Sequence, residues 1–148
     1  MAEKLFSEDD RKRIINAIVK AEKETSGEIQ VHLENHCKGV VLDRAAQVFE
    51  TLKMHKTELR NGVLFYLAVE DHKFAILGDA GINKLVPDHF WDDIKEEMLK
   101  HFQSRNFTEG LCVGIGMAAE QLKTHFPYDR HGDDNELPDE ISFGKNYE

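Results

Sequence analysis

The stretch NGVLFYLAVEDHKFAILGDAG, residues 61–81, decides the fold. Asn61-Gly62 is a turn signal. Val63 to Val69 then run apolar without a polar break. A short continuous run of this kind reads as a central strand covered on both faces. Asp71-His72-Lys73 is a compact polar turn, and Phe74 to Leu77 returns as a second strand, so the two form a hairpin. Gly78-Asp79-Ala80-Gly81 closes the stretch as a tight loop.

Upstream, Glu28 to Glu34 alternates, with Ile29, Val31 and Leu33 on one face and Gln30, His32 and Glu34 on the other. That is a strand with one apolar face. Ser7 before Glu8-Asp9-Asp10 caps a first helix, whose Ile14, Ile18 and Ala21 recur at helical spacing. Gly27 is expected to end it through a left-handed cap. Asp43 caps a second helix running to about Met54, and this helix connects the first strand to the apolar one. Strand, crossover helix and strand make a right-handed parallel βαβ unit. Downstream, Pro87-Asp88 opens a helix carrying Phe90, Ile94, Met98 and Phe102, and Thr108-Glu109 opens a last one. Its Gly110, Gly114 and Gly116 read as a flat face against the sheet. The whole is an α/β fold, a three-layer α/β/α sandwich. A small mixed sheet holds the βαβ unit and the β-hairpin, with helices on both faces.

The chain has 148 residues and a formal charge of −9. One domain accounts for residues 1–126. Residues 127–148 carry seven acids and two bases, more than half of the net charge. This acidic tail reads either as a solvated extension or, through Leu137-Pro138 and Ile141-Ser142-Phe143, as a segment docked on the body. An acidic balance argues against a nucleic-acid partner, whose phosphates need a basic surface. No apolar run approaches the ~20 residues of a membrane helix, and the N-terminus has no apolar signal-peptide region. The sequence therefore reads as cytoplasmic, with a protein as the possible partner. Cys37 and Cys112 read as reduced structural thiols more readily than as a disulfide.

The parallel pair and the hairpin bring the end of the third strand beside the starts of the first two. This topology gathers Asp79, Glu28 and the nearby Asp88 at one sheet edge. Hard cations such as Ca²⁺ or Mg²⁺ take oxygen ligands, and carboxylates on a tight loop can converge on one. The competing reading of both aspartates is turn formation and helix capping. His32, Glu34 and His36 share a strand face at period two, with residue types able to bind Zn²⁺. Ligands in line along one strand need other elements to close the shell, so the three read as a solvated face. Beside the Gly78–Gly81 loop the only evident basic residue is Lys84. No phosphate-binding loop, Cys-x5-Arg signature or serine elbow is present.

The segments Ser26-Gly27-Glu28-Ile29-Gln30-Val31, Asn61 to Leu67, Phe74 to Ile82 and Phe107-Thr108-Glu109-Gly110-Leu111 together resemble the TPM domain family. This family is also described through thylakoid acid-phosphatase-like and photosystem repair proteins. The resemblance runs from about Ser7 to Phe126. It implies a sheet sandwiched between helices, divalent-cation binding and, for some members, acid phosphatase activity. Many members are membrane-tethered or exported, whereas this chain shows neither anchor nor signal. It also reads Leu52-Lys53-Met54-His55-Lys56-Thr57 where relatives commonly carry a Trp-Gly-type segment, and Asp71-His72-Lys73 where they carry Asp-Arg. The expectation is a divalent-cation-binding accessory or protein-interaction module, with a metal-dependent phosphomonoesterase as the alternative.

Overall fold

A computed structural model describes residues 5–87, 89–127 and 141–144. In chain order the elements are α1 (Glu8–Glu24), β1 (Glu28–Glu34), α2 (Val41–Thr51), a 3-10 turn (Met54–Lys56), β2 (Gly62–Ala68), β3 (Lys73–Gly78), α3 (Ala80–Asn83), α4 (Asp92–Gln103), α5 (Phe107–His125) and β4 (Ile141–Phe143). The sheet order is β3-β2-β1-β4. β1 runs parallel to β2 and to β4, and β2 runs antiparallel to β3. The architecture is the α/β/α sandwich with a βαβ unit and a hairpin, and it has a fourth strand. Val31 to Leu33 pair with Ile141 to Phe143, so part of the acidic tail continues the sheet.

Period-two alternation sorts the strand residues between two cores. Ile29, Val31, Leu33, Val63, Phe65, Leu67 and Ile76 pack with α1, α4 and α5. Leu64, Tyr66, Ala68 and Ala75 pack with Ala45, Val48 and Phe49 of α2 and with Met54. Both faces of β2 are therefore covered, which is why its run is apolar throughout. Its seven residues are all buried.

Several local expectations are corrected. The first helix ends at Glu24 with Thr25 as an extended cap, and Gly27 does not take the left-handed conformation. Thr25 donates its hydroxyl to the Phe126 carbonyl, so a contact distant in sequence replaces the glycine stop. Val40, without a side-chain bond, precedes α2, and Asp43 lies in its first turn. α4 begins at Asp92, beyond Phe90 and Trp91. Two of the three glycines of α5 face a helix, and none faces the sheet. A Cβ at Gly110 would meet Phe102 and one at Gly114 would meet Met98, while Gly116 opens on empty space. Both cysteines are free thiols.

Candidate functional site

The parallel pair β1–β2 has two ends, and each carries an arginine–carboxylate pair. At the strand starts, the register pairs Glu28 with Gly62 and Val63 with Gly78. The Asp79 amide donates to the Gly62 carbonyl at 2.9 Å. Glu28, Gly62 and Asp79 thus form one row across three strands. Met54 packs over Gly62 in the middle of that row. The structure brings Glu28 and Asp79 to one edge, on either side of Gly62, and both residues are buried. Asp88 lies outside the described residues.

Asp79 caps α3, accepting from the Ala80 amide at 2.7 Å. Its two oxygens also accept from Arg60 Nε at 2.7 Å and Nη2 at 2.8 Å. This fork geometry, two parallel charge-assisted bonds, is the strongest way to pair the two groups. It holds the Arg60 guanidinium even more firmly protonated than usual. The glycines around Asp79 are explained by close approach. A Cβ at Gly78 would enter the Trp91 ring, and one at Gly81 would collide with the Leu59 and Arg60 carbonyl oxygens. The Gly81 amide donates to the Arg60 carbonyl at 2.9 Å, so the loop is clamped to the segment that supplies its counter-ion. Arg60 is the basic residue that sequence reasoning missed in favour of Lys84. The signal was available: Arg60 directly precedes Asn61-Gly62, which the hairpin places beside the end of β3.

At the opposite end, Gln30, His32 and Glu34 project onto the α2 side, beside Leu64, Tyr66 and Ala68. The reading of His32 and Glu34 as a solvated face is corrected, since both are buried and Glu34 is 0% exposed. Glu34 accepts from Arg44 Nε and Nη2, both at 2.8 Å, and from the Tyr66 hydroxyl. His32 Nε2 lies 3.0 Å from Glu34 Oε1, and its Nδ1 lies 2.7 Å from the Ser142 hydroxyl. The His32 and Tyr66 rings stack with centroids 5.9 Å apart. Burial pushes the Glu34 carboxyl up, but the bonds from Arg44, His32 and Tyr66 outweigh it and hold the group at about 2. Burial, and then donation to the Glu34 anion, push the Tyr66 phenol well above its ordinary value. Four elements meet here: α2 through Arg44, β1, β2 and β4. The network ties them together and offers Glu34 to no solvent-borne ligand.

His36 does not belong to this network, because β1 has ended. It is half-exposed, with Nε2 2.9 Å from Glu70 and Nδ1 3.1 Å from Asp71. Among the described residues, no three His, Cys, Asp or Glu side chains are grouped to hold a metal ion. Asp79 supplies oxygen donors of the type Ca²⁺ and Mg²⁺ take. It is a single carboxylate, so further oxygens would have to complete the shell.

The fold and these two ends define a class: an α/β/α sandwich built on a short mixed sheet, with its loop chemistry at the strand ends. The TPM domain model, which bears the name TPM phosphatase, matches residues 2–121, and the chain belongs to the TPM domain family. Among solved structures, the chain is similar to the NMR structure of the BA42 protein from the psychrophilic bacterium Bizionia argentinensis. Identity is 47% with a TM-score of 0.89, covering 94% of this chain and 95% of that one. It shares its fold with the N-terminal domain of a P. gingivalis protein, at 21% identity and a TM-score of 0.66, covering 86% of this chain and 83% of that one. The N-terminal domain of the cg2496 protein from Corynebacterium glutamicum has the same fold, at 12% identity and a TM-score of 0.64, covering 97% and 84%. No curated protein matches. No helix of the described residues is long and apolar enough to cross a membrane.

Proposed function

We propose that the chain is an accessory module that takes up Ca²⁺ or Mg²⁺ at the Asp79 edge, with Arg60 as the resident counter-charge that the cation displaces. One observation carries this reading. The Asp79 side chain is 6% exposed while that of Arg60 is 50% exposed. The guanidinium has an open route into water, and a cation taking its place would keep the fixed, buried carboxylate neutralised. Waters and neighbouring oxygens would complete the coordination. Leu59, beside Arg60, and Leu85, beyond α3, each expose 53% of their surface, which suits a protein partner at the same edge.

Amide NMR titration with CaCl₂ and with MgCl₂ tests the reading. Saturable shifts are expected around residues 60–62 and 78–82. They should vanish in Asp79→Asn and strengthen in Arg60→Ala, where the competing cation is gone. No saturable shift, or shifts that survive Asp79→Asn, would remove the cation from this edge. The name of the matching family model favours a second reading, a metal-dependent phosphomonoesterase. Metal-dependent turnover of a chromogenic phosphate ester, lost in Asp79→Asn, would place the enzyme first.

A further inference from the structure

A cavity of about 240 Å³ lies beyond the carboxyl end of β2, away from the Asp79 edge and independent of it. Leu67 forms its floor, and Phe74, Phe102 and Phe107 line its walls. The Phe74 and Phe102 rings meet edge to face, 5.0 Å between centroids and 87° apart, and Phe107 is tilted by 42° to Phe102 at 5.9 Å. The polar groups in the lining are His72 and Gln103, and it includes no carboxylate, lysine or arginine. His72 sits in the left-handed conformation, with φ at 54°. That conformation belongs to the turn of the β2–β3 hairpin, which sets His72 at the mouth of the cavity.

The size, the aromatic walls and the two polar groups identify a guest. An apolar cavity of about 150 Å³ is enough to take benzene. This one has room for a single ring and a substituent. Rings packed edge to face offer both faces and edges to a guest ring, which aromatic quadrupoles favour over a saturated one. A net-negative chain disfavours an anion, and the nearby Arg105 guanidinium is stacked on the Phe107 ring, 5.5 Å from its centroid. From these observations we infer that the cavity between β3, α4 and α5 is a binding site for a small neutral aromatic molecule. Its one polar substituent is met by Gln103 or His72.

Leu99 lines the cavity from α4 and is 43% exposed, so added bulk there fills the site without entering the core. The test is amide NMR titration with phenol, benzene and cyclohexanol on the wild type, Leu99→Trp and Gln103→Leu. Phenol should give saturable shifts at His72, Phe74, Gln103 and Phe107 and should bind more tightly than cyclohexanol. Leu99→Trp should abolish those shifts while its spectrum stays dispersed. Gln103→Leu, or His72→Ala as its counterpart, should weaken phenol by about fivefold and leave benzene unchanged. Absence of saturable shifts at millimolar phenol, or shifts that persist in Leu99→Trp, would overturn the assignment. Equal affinity for phenol and cyclohexanol would overturn its aromatic character.

Discussion

Asp79–Arg60 and Glu34–Arg44 are both two-pronged ion pairs, formed at opposite ends of the same strand pair, yet they do different work. Asp79 answers to a half-exposed guanidinium and one backbone amide. Glu34 is sealed from solvent, and Arg44, Tyr66 and His32 all reach it. The first pair can open toward water on one side. The second cannot open without exposing several desolvated groups at once. Identical pairing geometry thus gives an adaptable edge at the strand starts and a rigid bolt at the strand ends. Both carboxylates are buried, so either leaves an uncompensated charge if its arginine departs. The two ends differ in how many other donors reach the carboxylate and in how readily its arginine is hydrated.

The largest effect expected from this contrast is in Glu34→Gln. Arg44 is 35% exposed and can be hydrated, so the loss comes from its fork, the Tyr66 hydroxyl and His32 giving up an anionic acceptor, about 2–3 kcal/mol in urea unfolding. A loss below about 1 kcal/mol would erase the distinction between the two ends. The same group sets a pH signature. The Glu34 carboxyl sits at about 2 in the fold against an ordinary value of 4.5. The unfolded chain therefore binds the proton first as pH falls. Stability from this group is complete above about 4.5 and is lost progressively toward 2. Glu34→Gln should remove that part of the acid dependence, and an unchanged slope would show that other carboxylates carry it.

The Asp79 end has its own steric test. Gly81→Ala would drive a Cβ against two carbonyl oxygens that belong to backbone and cannot rotate away. It should cost about 1–3 kcal/mol, as overpacking does. A neutral Gly81→Ala would mean the loop gives way easily and that Asp79 is less fixed than the clamp implies. Asp79→Asn should be the mildest of the three. It keeps most of the cap and loses a half-exposed pair, at about 1 kcal/mol in the same unfolding measurement. A loss as large as that of Glu34→Gln would make the two ends equivalent.

Local pattern was enough for much of this molecule. The apolar run from Val63 to Val69 announced a strand covered twice, and the Asp71-His72-Lys73 turn announced its hairpin. The position of Asp79 beside Glu28's strand followed from the parallel βαβ unit. The Ser7 capping box was legible because every partner lies within three residues. What escaped shares one cause: each feature depends on partners far apart in the chain. Gly110 and Gly114 face α4 because α5 packs there, and nothing in their spacing names the neighbour. Gln30, His32 and Glu34 alternate with apolar residues as a wet strand face would. Only the arrival of Arg44, Tyr66 and Ser142 shows that water has been replaced by side chains.

The sequence by itself determined the α/β/α class and the order of its first three strands, which follow from periodicity, turn residues and chain handedness. The family was legible only as a resemblance of motif segments such as Asn61 to Leu67 and Phe74 to Ile82. Tertiary structure alone decided that the tail supplies a fourth strand, that Arg60 faces Asp79, and that Glu34 is buried and still ionised. Each of these is a balance between desolvation and pairing, and that balance is set by which groups meet across the fold.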